Sequence, residues 1–195
     1  STPYPGDRIA DVIASQCSAV TLVHLGRGGV QGDGSLDGYN QLRVNEVLST
    51  ARKLKARRPG LSIRIIWAGR CNRKQHLSGM TLPATEAGAA LAYAKTQLEP
   101  GDTFTMEVED GSTSTVENAL FIAREFSIWG PLVVLTDPLH YRGGKVEFIL
   151  KKVFNQLISA VATRIGIFFA RKGDLIAIER SQRRLEKWLE KIFRP

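Results

Sequence analysis

The chain has little cysteine, little histidine and no long hydrophobic run, and each shortage removes a class of function. Its two cysteines, Cys17 and Cys71, stand far apart in 195 residues and match no metal-ligand spacing. They read as free thiols of a reducing compartment rather than as a disulfide framework. Three histidines, His24, His76 and His140, show neither an HExxH pattern nor paired spacing, so a zinc site is poorly supported. No apolar stretch approaches the roughly 18 to 20 residues of a membrane span. The opening STPYPGDRIADVIAS has acids and no continuous apolar segment, so it does not read as a secretory signal. The cytoplasm is the expected location, with a trimmed N-terminal membrane anchor as the alternative. The chain also lacks G-x-S-x-G, G-x-G-x-x-G and GK[ST], which sets aside a serine-hydrolase elbow, a dinucleotide fingerprint and a Walker A loop. It has no internal repeat and no low-complexity segment.

What is present is an ordinary globular composition, 43% hydrophobic and 24% charged, at a length suited to one domain over residues 1–195. The net charge of +8 is unevenly spread. Residues 1–139 hold 14 Lys and Arg against 14 Asp and Glu, whereas residues 140–195 hold 13 against 5. A neutral body with a basic tail implies a local patch for phosphate, anionic lipid or an acidic partner. Nucleic acid is not expected, because no aromatic stacking motif or recognition helix accompanies the charge.

Apolar segments alternate with helical periodicity. Ala19–Gly26, Leu61–Gly69, Thr103–Val108, Pro131–Thr136 and Ile165–Ala170 read as strands. Between them, helical spacing runs through Leu42, Val44, Val47, Leu48, Ala51 and Leu54, then Pro83–Leu98, Thr113–Phe126 and Tyr141–Gln156, with a last helix at Ile178–Phe193. Strand–helix alternation implies right-handed βαβ units. The expected fold is a Rossmann-like three-layer α/β/α sandwich with a mostly parallel sheet of about five strands. Its core covers about residues 19–156, and a C-terminal strand and basic helix occupy 163–195.

In such a sheet ligands bind outside the carboxyl ends of the strands, which selects four loops. Gly26–Gly38 carries six glycines and two aspartates; it reads either as an anion cradle with Gly26, Gly28 and Gly29 or as a plain mobile loop. Gly69–Met80 holds Arg70, Arg73, Lys74 and His76, with Arg70 nearest the strand end and best placed for an anion. Glu109–Asn118 reads EDGSTSTVEN, either a helix cap or a crevice wall; a capping box would pair Ser114 with Glu117. Asp137–Arg142 reads DPLHYR. Capping explains Asp137 before Pro138, but it leaves His140 unexplained, and the pair can serve as base and orienter.

The order of these motifs resembles the YdcF-like family of bacterial, envelope-associated proteins. The resemblance rests on a strand ending HLG with a glycine-rich loop, Arg43 in the next helix, IIWAG, a TEA element with Glu86, the pattern E-x-x-S-x-x-T-x-E-N-A, and VVLTDPLHYR. Glu109, Ser112, Thr115, Glu117 and Asn118 fill the family's third-strand pattern completely. The chain departs where the family usually has Ser-Gly-Gly after its second strand and here reads Ala68-Gly69-Arg70. It also departs where the family's arginine falls three residues after the histidine; here that position is Gly143, and Arg142 comes one earlier. The resemblance implies a Rossmann-like domain with a polar crevice and no settled reaction.

The expected function is binding of a small polar, anionic ligand: a nucleotide, S-adenosylmethionine or a phosphorylated precursor. Hydrolase or transferase chemistry would use His140 as acid–base and Asp137 as its partner. The ligand-binding set is Gly26, Gly28, Gly29, Arg43, Gly69, Arg70, Glu86, Glu109, Ser112, Thr115, Glu117, Asn118 and Arg142. No metal residues are assigned, although a divalent ion or S-adenosylmethionine could serve as cofactor. The alternative is a non-catalytic module whose basic C-terminal helix meets an anionic membrane surface or a protein.

Overall fold

The computed structural model of the chain describes residues 11, 13–26, 29–127, 129–130 and 132–135, together with the backbone of 165–167. Four parallel strands carry the sheet: β1 (Ala19–Leu25), β2 (Ser62–Ala68), β3 (Thr105–Glu109) and β4 (Leu132–Leu135). A three-residue β5 (Ile165–Ile167) joins β4, giving the order β3-β2-β1-β4-β5 with every pairing parallel. The expected Rossmann-like α/β architecture is therefore the one observed. β1 and β2 are buried on both faces, which is why they read as near-continuous apolar runs rather than as alternating ones.

Strand register sorts the side chains between the two faces. Val20, Leu22 and His24 of β1 share one face with Ile63, Ile65 and Trp67 of β2 and with Val133 and Leu135 of β4. Helices α1 (Gly38–Arg57) and α3 (Glu86–Thr96) pack on this face. Asp37 caps α1 by accepting from Asn40 N–H, and Thr85 caps α3 by accepting from Gly88 N–H. The alanines of α3 let it approach closely, with Ala87, Ala90 and Ala94 fully buried. A short helix, α2 (Arg73–Leu77), interrupts the loop after β2 and was not anticipated from the sequence. Leu42 also departs from expectation. It is 65% exposed, and the inward positions beside it are held by Asn40 and Arg43.

The steps from β1 to β2 to β3 run one way across the sheet, and the step to β4 returns past β1. Right-handed crossovers then place α4 (Thr115–Glu125) on the opposite face. There Arg64 projects from β2 and bonds Glu107 of β3 and the Ser127 carbonyl, with the Phe126 and Trp129 rings within 5.8 Å and 5.3 Å of its guanidinium. This buried arginine ties the end of α4 to the sheet far from the strands' carboxyl ends. No helix among the described residues is long and apolar enough to cross a membrane. The expected helices at 141–156 and 178–193 lie outside the described residues.

Candidate functional site

The reversal of strand order falls between β1 and β4, so the crevice predicted by topology opens at Gly26 and beyond Leu135. Three of the four selected loops can be followed there, wholly or in part. Gly28, Asp137, His140 and Arg142 lie outside the described residues, as do the side chains of Arg73, Lys74 and Thr115.

The loops after β2 and β3 are zipped together by backbone. Gly69 N–H donates to the Glu109 carbonyl and Arg70 N–H to the Ser112 carbonyl, both at 2.8 Å. α3 joins the same knot, with Glu86 N–H donating to the Arg70 carbonyl at 3.0 Å and Ala87 N–H to Gly69 at 2.8 Å. Glu86 is the first residue of α3, and its carboxylate lies over Gly26 and Gly69. A side chain at Gly26 would collide with Glu86 Oε2, and a Cβ on Gly69, whose φ is +125°, would stand 2.8 Å from it. The sequence left Gly26 open between an anion cradle and a plain loop, and placed Gly69 in the ligand-binding set. The group that approaches is the protein's own carboxylate, and their amides already donate to Ala68 and Glu109.

Gly29, with φ +87°, is pinned against Asp37 and Asn40, and its carbonyl accepts from Asp37 N–H at 2.8 Å. Arg43 is buried and donates to the Leu25 carbonyl at 2.6 Å, holding the end of β1.

After β3, Glu109 Oε1 accepts from Gly111 and Ser112 N–H, each at 2.9 Å. The Ser112 hydroxyl contacts both Glu109 Oε2 and the Asn118 side-chain amide. One hydroxyl proton serves one acceptor. The hydroxyl therefore stands between two acceptors, Glu109 Oε2 and Asn118 Oδ1, and donates to one of them at a time. Burial pushes the Glu109 carboxyl up, while the Ser112 bond and the two backbone bonds oppose that rise. Ser114 caps α4 as expected, accepting from Glu117 N–H at 3.2 Å. Glu117 reaches one residue further back than a regular capping box, accepting from Thr113 N–H at 2.6 Å and from its hydroxyl at 2.9 Å.

The sequence reading passed over two features. A cavity of about 530 Å³ lies under the 70–85 loop, lined by Arg70, Cys71, His76, Met80, Leu82 and Thr85 among others. Its only sequence signal is the length of that loop. Behind the site, the His24 ring lies tilted against Trp67 with centroids 5.3 Å apart, and among the described residues neither of its ring nitrogens has a hydrogen-bond partner. Burial holds His24 well below the usual histidine range, and the Arg43 charge adds to the effect.

Among the described residues no group of three or more His, Cys, Asp or Glu is arranged to hold a metal ion. Fold and site together define a Rossmann-like α/β protein with a rigid, carboxylate-bearing wall at the strands' carboxyl ends. Comparison of the chain with protein-family models, curated proteins and solved structures finds no match.

Proposed function

We propose that the chain is a YdcF-like domain protein that binds a small polar, anionic ligand in the crevice at the carboxyl ends of its strands. One observation carries this reading. Four polar side chains, Glu86, Glu109, Ser112 and Asn118, are buried together where β1, β2 and β3 end. Capping Ser114 and Glu117 would suffice to start α4; it requires neither Glu109 nor Asn118. Burying such groups is costly unless they are fully bonded, and fully bonded they form a pre-organised wall. A nucleotide, S-adenosylmethionine or a phosphorylated precursor suits that wall, with ligand hydroxyls toward the carboxylates and the anionic end toward Arg70.

Hydrolase or transferase chemistry in this reading falls to His140 as acid–base with Asp137 orienting it. Native mass spectrometry of freshly purified protein should show a co-purified ligand, or one added from a panel of nucleotides and S-adenosylmethionine. His140→Ala should keep the bound ligand and lose turnover of it. Binding of nothing in the panel, with no co-purified mass, would sink the reading.

A second reading rests on the 13 basic against 5 acidic residues of positions 140–195. RSQRRLEKWLEKIF spaces Leu185, Trp188, Leu189 and Ile192 at helical intervals with cations between them, a pattern suited to an anionic membrane surface or a partner groove. Co-sedimentation with anionic vesicles, with and without residues 178–195, tests it.

A further inference from the structure

The cavity under the 70–85 loop differs in character from the carboxylate wall beside it. Among the described residues its titratable lining is Arg70, His76 and the Cys71 thiol, with no carboxylate, while Met80, Leu82, Pro83 and Ala84 add apolar surface. Arg70 is exposed and lines the cavity, and no side chain or carbonyl among the described residues accepts from its guanidinium. Its backbone, by contrast, is held on both sides: its N–H donates to Ser112 and its carbonyl accepts from Glu86. The free guanidinium therefore stands on a fixed base at the seam between cavity and crevice.

Glu86 and Glu117 are near enough to bear on the Cys71 thiol. Burial raises that thiol first, Glu86 adds to the rise, Arg70 opposes it and Glu117 adds again. Cys71 is thus a slow nucleophile, and its reactivity reports on access to the cavity wall. The same neighbours divide the site by charge: carboxylates on the crevice side repel an anion, and the guanidinium on the cavity side attracts one. A guanidinium binds phosphate or carboxylate oxygens two at a time. At about 530 Å³ the cavity exceeds what an inorganic anion fills, and its apolar wall gains from covering by carbon.

We propose that this cavity is the subsite for the anionic end of an amphiphilic ligand, a phosphate monoester or carboxylate on an apolar body, with Arg70 as its counterion. The proposal rests on the reading that the neighbouring crevice binds a small anionic molecule with its charge at Arg70, and it adds the cavity as the subsite and the apolar body that must be attached.

Cys71 supplies the test. Alkylation of Cys71 by N-ethylmaleimide, read peptide by peptide by mass spectrometry, reports access to the cavity. Cys17, which precedes β1 at the opposite end of the strands, is the internal control. Phenyl phosphate should slow Cys71 labelling several-fold and leave Cys17 unchanged. The protection should vanish in Arg70→Ala and persist in Arg70→Lys. Benzoate compared with phenyl phosphate distinguishes the carboxylate from the phosphate source. Equal protection by benzyl alcohol would remove the anion from the proposal, and equal protection by inorganic phosphate would remove the apolar body. Protection by neither phenyl phosphate nor benzoate, or protection that survives Arg70→Ala, would overturn it. If a co-purified ligand is found while Cys71 stays unprotected, the cavity assignment fails alone and the crevice reading stands.

Discussion

His24 is buried with both ring nitrogens unpartnered among the described residues, and it sits on the core face against Trp67, whose indole N–H likewise has no partner among them. A group in this position favours the neutral form, and its pKa is held below the usual histidine value. The sign follows from proton counts. Below the ordinary value of 6.5 the unfolded chain takes up a proton that the folded chain refuses, so stability falls as pH drops toward the depressed folded value. His24→Leu should flatten this loss and raise stability at mildly acidic pH by about 1–2 kcal/mol, because it removes two unsatisfied polar atoms. Urea denaturation across pH 7 to 5 checks it; an unchanged slope would show that another group carries the acid sensitivity. Glu109 acts oppositely: its raised carboxyl costs stability at neutral pH, and that cost fades as pH falls through its folded value. Neither effect was legible in the sequence. His24 was visible there only as a strand-end histidine with no partner spacing, and its environment depends on register with β2.

At the scale of elements, the N-terminus of α3 is wedged against the ends of two strands. Glu86 fills the space over Gly26 and Gly69, so the three positions form one packing unit. Gly26→Ala should destabilise the fold by about 2 kcal/mol, since the new methyl meets both Glu86 and, at 3.0 Å, the Ala68 carbonyl. Glu86→Ala should recover part of that loss, so a double-mutant cycle by chemical denaturation should give a coupling of about 1 kcal/mol. Additive losses would mean that Glu86 turns aside freely. The sequence pointed to Gly26, Gly69 and Glu86 separately, because glycine reveals that something approaches closely without revealing what. The start of α4 was more legible. A Ser114 cap with Glu117 three residues on is a local pattern, and local hydrogen bonds need no knowledge of the sheet. α3 begins at Glu86 rather than at Pro83 for the same kind of reason, with Thr85 as the cap.

For the whole molecule, the parallel sheet and its helices follow from the alternation of apolar runs with helical periodicity, and the observed order β3-β2-β1-β4-β5 locates the switch between β1 and β4. Charge also belongs to this scale, because the net positive charge is concentrated in positions 140–195. If positions 178–195 meet an anionic surface, vesicle binding should weaken steeply as salt rises from about 0.05 to 0.3 M, as the Debye length shortens. Removing those residues should abolish it. Equal sedimentation of both chains, or no dependence on salt, would remove the membrane reading of these residues.

By itself the sequence determined the class of fold, the Ser114 cap of α4 and the loops in which polar groups gather. These follow from periodicity and from hydrogen bonds between residues three or four apart. Only the tertiary structure decided which groups share a space: Glu86 over Gly26 and Gly69, Ser112 between Glu109 and Asn118, Arg43 on the end of β1, and Arg70 at the mouth of a cavity. The reason is physical. Such contacts join elements far apart in the chain, and they depend on strand order and register, which periodicity leaves open.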